Sequence, residues 1–469
     1  MSDKAHEVRL RLKKFAETTN HWSEFRFHSR KVRSFGIRNG VSSEMSSKTY
    51  QGLGVRTLFN GTWGFASTSD LTPQGIERAM RMAEHLAMAL DSRKKTKVVI
   101  PSTNRLAQGE YFLEGYEDLF KKPLEEKFEF VKSSEEKIRS SASIEAASCQ
   151  YTEVFEDKVI VTTDGADAHV RLVRPELRFM AYSSDGTKRT MGYDTVGGTG
   201  GWNCLFINRT ADEYIENAVK NATHLLKAKE AMGGRKKVIL SPAMVGLLCH
   251  EAIGHTVEAD FVKAGSAAAD KLGKTVASDL VNLCDSGGTE YQMGAGGSLP
   301  VDDEGVLTEK TYIIKNGKLT SFLHNRESAA EYDVAPTGNA RAWEFSDEPL
   351  IRMRNTYIEP GKDKLSDMLS EVEEGYFIDG PEGGQADSTA EFMFGANKVR
   401  AIKNGKLGDY IQNVTVSGNA FTVLESVDAV SSDFKWDLGS GHCGKGQLAK
   451  VDAGGPYVRC ELVIGGAQK

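Results

Sequence analysis

Cysteine, proline and long apolar runs are what this sequence has least of. Six cysteines are spread over 469 residues, at positions 149, 204, 249, 284, 443 and 460, with no Cys-x-x-Cys pair. So few exclude a disulfide scaffold and make a reducing, cytoplasmic setting the expectation, where each cysteine is either buried filler or chemically used. No stretch approaches the ~20 apolar residues of a membrane-spanning helix, and the residues after Met1 lack the apolar core of a signal peptide. An excess of basic charge is also absent. The formal net charge is −6 and the pI about 6.0, so direct nucleic-acid binding is not expected. No Lys-Ser/Thr step follows the glycine-dense residues 197–201, which excludes a P-loop there, and no dinucleotide fingerprint occurs.

Glycine is abundant instead, with 47 residues against 11 prolines. That is about 10% of the chain where ~7% is usual, and it carries no collagen-like period. Turns and a β-rich chain are the expectation. Asn-Gly steps at 39–40, 60–61, 316–317 and 404–405 sit between apolar stretches and predict hairpins. The stretches ending in 316–317 and 404–405 resemble each other, as a duplicated unit or as two ordinary hairpins. Thr72-Pro73 and Ser241-Pro242 each place an N-cap before a proline and predict helix starts. Further helices are expected over roughly 123–141, 214–226 and 364–373, with 91–122 read as a linker. The expected fold class is α+β: an N-terminal α/β sandwich-like domain over 1–233, then a β-rich C-terminal domain over 234–469 that carries the chemistry.

That chemistry is concentrated in Cys249-His250-Glu251-Ala252-Ile253-Gly254-His255. Zinc proteases commonly space two histidines four residues apart on one helical face. Here the spacing is five, which on a regular helix separates the rings by roughly 140°. A local π-turn, bonded i→i+5, brings them back together, and Gly254 eases such a distortion. The spacing therefore predicts a π-bulge or helix break between His250 and His255. Glu251 stands where metalloproteases place their general base. A catalytic zinc takes three protein ligands and keeps one position open. Glu258, Asp260, Cys284, His324, His442, Cys443 and Cys460 are candidates for the third. The glycine-rich stretch 439–446 around Cys443 is the best local setting, and zinc keeps a ligating thiol deprotonated.

Together, the 250–255 motif and the distant Gly441-His442-Cys443-Gly444-Lys445 resemble the TldD/PmbA metalloproteases, a family also labelled modulator of DNA gyrase. Gly52-Leu53-Gly54-Val55-Arg56, Asp302-Asp303-Glu304-Gly305, Pro336-Thr337-Gly338-Asn339-Ala340-Arg341 and Gly383-Gly384-Gln385-Ala386-Asp387 extend the resemblance over most of the chain. Only the TldD-type subunit carries both histidines, the glutamate and the cysteine, so the sequence resembles that type. The resemblance implies Zn2+ held by His250, His255 and Cys443, with Glu251 as catalytic base. It implies a dimer, either a homodimer or a heterodimer with a PmbA-type subunit, that degrades unfolded or flexible peptides. Peptide-precursor maturation and antitoxin turnover are roles associated with the family. Two features depart from the family pattern: His442 beside the cysteine, and the alanine-rich residues 265–274.

The expected activity is therefore zinc-assisted peptide hydrolysis, with substrate entering extended along a strand edge. Arg341 is a candidate for holding the oxyanion, against the plainer reading of a surface arginine or one paired with Asp347. The alternative is a non-catalytic partner-binding or regulatory subunit with a structural metal or none. A structural zinc would have four protein ligands and no water.

Overall fold

The computed structural model describes residues 2–437 and 439–466. Period-2 alternation governs its first sheet. In strand Trp22–Arg38, Phe25 and Phe27 join one apolar cluster with Val8, Leu12, Leu53 and Ile76. The alternate residues Glu24, Arg26, His28 and Arg30 point to the other face and are buried there. The sheet runs Thr62–Thr68, Val41–Phe59, Trp22–Arg38, Ile144–Thr162, Asp167–Ser184. Gln108–Phe112 and Arg189–Gly197 both add to the outer edge of Asp167–Ser184, the former in parallel.

Helices Ser2–Thr18 and Pro73–Asp91 cover one end of the sheet's apolar face; Leu124–Arg139 and Ala211–Leu226 cover the other. Thr72 caps its helix by accepting from the Gly75 N–H, with proline in the first turn. Thr210 and Glu213 form a capping box. The expected linker at 91–122 is partly ordered, because Tyr116 and Leu119, three apart, bury one face of helix Tyr116–Lys121.

The second half builds an eight-stranded and a six-stranded sheet. In the eight-stranded sheet, Glu374–Ala386 pairs with both Gly234–Leu240 and Glu391–Lys403, closing five strands into a ring. Val238, Leu240, Ile378, Phe394, Val416 and Leu462 belong to its apolar core. Asn355–Ile358 is central to the six-stranded sheet, between Leu283–Ser286 and the parallel Asp452–Gly455. Short helices at Ala259–Lys263, Arg326–Glu331 and Ala420–Glu425 interrupt what the sequence reads as nearly all strand and turn. All four Asn-Gly steps turn as expected, with φ of 46° to 50° at the asparagines and 74° to 77° at the glycines. The two similar hairpins lie in different sheets. No helix among the described residues is long and apolar enough to cross a membrane.

Candidate metal centre

Ser241 starts the helix that carries the histidines, its hydroxyl accepting from the Met244 N–H ahead of Pro242. After Leu247 the helix widens into a π-helix over Leu248–Gly254, and His255–Val257 tightens to a 3-10 turn. The His255 N–H donates to the His250 carbonyl, an i→i+5 bond joining the two histidines themselves. Their rings end up 5.3 Å apart, centre to centre, at 84°. Leu248, Cys249, Ala252 and Ile253 are buried in the apolar core beside the strand ring, which leaves the polar residues of the turn on the other side.

Gly254 has a different role from the one its sequence suggests. Its φ and ψ, −53° and −49°, are ordinary right-handed values. Space is what demands glycine, because a Cβ at 254 would overlap the Met353 sulfur.

Cys443 comes from a small hairpin, His442–Lys445 with Gln447–Lys450, that turns at Gly446 with φ 69°. Arg352 anchors this hairpin by donating to the carbonyls of Cys443 and Gln447, each at 2.8 Å. A Cβ at Gly444 would meet nothing, so neither its backbone nor its surroundings require glycine there. The Cys443 sulfur lies 3.2 Å from His255 Nε2. The ligand atoms of His250, His255 and Cys443 all fall within 4.8 Å of one another.

Three observations describe the electrostatics. His250 is 3% exposed, and neither ring nitrogen has a hydrogen-bond partner. Burial pushes the Cys443 thiol up, but His250 and His255 outweigh it and bring it down to about 4. Burial alone would push the other five thiols up, and it does. Burial opposes charge on His255 as well, yet Cys443 and Glu258 raise it to about 10.

Glu258, a candidate third ligand by sequence, stands behind the ring instead. Its fully buried carboxylate lies 3.2 Å from His255 Nδ1 and accepts from Lys445 Nζ at 2.9 Å. Holding Nδ1 selects the tautomer that leaves Nε2 free to face the cysteine. Asp260 pairs with the same lysine at 2.7 Å. His324 bonds Ser328 away from the site, while Cys284 and Cys460 are buried in other packing clusters. His442 lies 3.9 Å from Glu176 and edge-on to Trp343.

Glu251 keeps a side chain 31% exposed, with a carboxylate oxygen 3.8 Å from His255 Nε2. The group therefore has a solvent-facing side at Glu251. Arg341 is neither a surface residue nor paired with Asp347. It is 7% exposed and donates to the Met353 carbonyl at 2.6 Å. Asp347 instead accepts from the Glu344 N–H through its carboxylate and from Arg26 through its carbonyl. A groove of about 1110 Å3 runs between the first sheet and the second half, along Tyr193, Asp194, Arg209, Phe377 and Trp436. His250, Glu251, His255 and Cys443 do not line it.

The donor set suits a zinc ion. Two imidazole nitrogens and a thiolate are its common ligands. A buried imidazole without partners is costly unless something else satisfies it.

Comparison with known proteins places the chain. Models of PmbA/TldA metallopeptidase domain 1, the central domain and the C-terminal domain match residues 23–87, 117–229 and 233–466. A metalloprotease of Methanocaldococcus jannaschii is 32% identical over 93% of this chain and 95% of its own length. A protein of Saccharolobus solfataricus named zinc metalloprotease TldD homolog is 29% identical over 89% of this chain and 90% of its own. Among solved structures, TldE from Thermococcus kodakarensis matches with a TM-score of 0.80 at 18% identity, over 97% of this chain and 99% of that one. A Thermotoga maritima structure whose name proposes a modulator of DNA gyrase matches at 0.79 and 23%, over 98% and 100%. At these identities the two structures bear on the fold alone.

Proposed function

Because the chain belongs to the PmbA/TldD metallopeptidase family, we propose that it is a zinc-dependent peptidase of the TldD type, with His250, His255 and Cys443 holding the metal and Glu251 as general base. The observation that carries this reading is the convergence of three ligand atoms within 4.8 Å around a buried, unpartnered His250, beside a partly exposed carboxylate. Among the described residues the group has three members, as a catalytic rather than a structural zinc would. Zinc held there supplies Lewis-acid polarisation of a peptide carbonyl and a lowered pKa for water.

The chain's own residues do the rest. The Glu251 carboxylate accepts the proton of an attacking water and returns it to the departing amine nitrogen. The Glu258 carboxylate holds the His255 ring in place, and Lys445 balances its charge. The Arg352 bonds to the hairpin keep the Cys443 sulfur in register. The substrate class is an unfolded or flexible peptide, and the working form is a dimer, of two copies or with a PmbA-type subunit.

Glu251→Gln tests the assignment. Peptide cleavage should fall by about 100-fold or more, while metal analysis finds the zinc content of the parent. Retained cleavage by the zinc-loaded variant overturns the role of Glu251. A zinc-loaded parent that cleaves no unfolded peptide favours the non-catalytic subunit.

A further inference from the structure

On the hairpin that supplies Cys443, His442, Leu448, Ala449 and Lys450 form one wall of a second, smaller pocket. Its volume is about 20 Å3, room for one or two water-sized groups. Five cations line it (Arg30, Lys158, Arg174, Arg341 and Lys450) against two carboxylates, Glu156 and Glu176.

Four of the five cations are matched within the chain. Lys158 pairs with Asp303 at 3.0 Å and Lys450 with Glu176 at 2.6 Å. Arg174 pairs with Glu156 and also donates to the Gly296 and Ser298 carbonyls. Arg30 lies 3.8 Å from Glu344 and stacks on Trp343, 3.5 Å from the ring centre.

Arg341 is the exception. It is more than nine-tenths buried, and among the described residues it has no ion-pair partner, only the Met353 carbonyl. Burial first, then Arg174 and Arg352, bring its guanidinium down to about 9. A planar cation left without a counter-charge next to an opening is a receptor for a planar anion, since guanidinium matches carboxylate in a two-pronged geometry.

We propose that Arg341 and this pocket are a subsite for a carboxylate of the bound peptide, either its C-terminus or an acidic side chain. The proposal rests on the peptidase reading for its ligand. The pocket's size fits a carboxylate head rather than the body of a side chain. Its position also suits a subsite. His442 precedes Cys443, and Ala449 is the cross-strand partner of Cys443. Successive strand residues face opposite sides, so a peptide at the metal group would pass the hairpin edge to reach the pocket, about three extended residues away.

The test uses the full zinc-loaded chain as Glu251→Gln, to prevent cleavage, and four fluorescent hexapeptides. One pair differs only in a C-terminal acid or amide, the other only in an internal Glu or Gln. Binding is read by anisotropy. The acid member of one pair should bind about 10- to 100-fold more tightly than its neutral partner, and adding Arg341→Gln should remove that ratio. The pair that discriminates identifies the source of the carboxylate. Equal binding within both pairs, absence of binding by all four, or a ratio that survives Arg341→Gln overturns the proposal. Should Arg341→Gln fail to fold, the parent chain is melted with glutarate or glutaramide: a rise in Tm with glutarate alone supports the subsite, and equal effects overturn it. Discrimination through Arg341 by a parent chain that cleaves nothing would refute the peptidase reading and leave the carboxylate site standing.

Discussion

Two regions of this molecule bury charged and titratable side chains, and they solve the problem in opposite ways. Where the charged face of the first sheet meets the second half of the chain, the ion pairs are internal. Arg56 bridges Glu24 at 2.8 Å and Glu304 at 2.6 Å, and Lys158 meets Asp303. At the centre formed by His250, His255 and Cys443, the chain assembles donors and leaves them short of partners. Both nitrogens of His250 are unpartnered, and the cysteine thiol is pulled down to about 4. Burying charge is therefore no mark of a site in this fold. A site is marked by buried polar atoms whose partners the chain does not supply, and Arg341 stands out from its surroundings by the same test.

The largest effect expected from this contrast lies in the ionic layer. Arg56→Met leaves Glu24 and Glu304 facing each other without a cation. It should cost about 3–5 kcal/mol in denaturant unfolding; a loss below about 1 kcal/mol would mean the layer is not load-sharing. Next is the support behind the centre. Glu258→Gln keeps an acceptor for His255 but removes the charge, and should weaken zinc affinity about 10- to 100-fold in a competition titration with a chelator. Unchanged affinity would remove Glu258 from the centre. Smallest is His250→Leu in the metal-free protein. Because the ring has no bonds to lose, stability should stay within about 1 kcal/mol of the parent, while the stabilisation by added zinc disappears. A large loss without metal would show that His250 is bonded after all.

Much of this is legible in the sequence, for reasons that are local. A histidine spacing of five cannot share a helical face without a π-turn, and the turn is there. Asn-Gly steps and Thr-Pro or Ser-Pro starts act through backbone preferences that need no tertiary context. The misses are all tertiary. The alternation of Glu24, Arg26, His28 and Arg30 with phenylalanines reads the same whether the charged face meets water or another domain. Gly254 reads as a flexible hinge, although the reason for glycine is a methionine a hundred residues away. Arg341 is a buried cation only through the packing of the 340–351 ribbon and the 442–450 hairpin. Glu258 is visible as a carboxylate three residues after a histidine, a spacing that signals support of a ring as readily as ligation.

The i→i+5 bond between His255 and His250 also has a consequence for insertions and deletions. A π-turn amounts to a helix holding one residue more than its α counterpart. Removing any one of residues 251–254 would restore a regular helix and advance everything after it by about 100°. The His255 ring could still meet His250, now at the four-residue spacing of ordinary zinc helices, but Glu258 and the helix at Ala259–Lys263 would be turned away from Lys445. Two styles of metal helix thus stand one codon apart. In this chain the longer one is locked in by Glu258 and its lysine partner as much as by the histidines themselves.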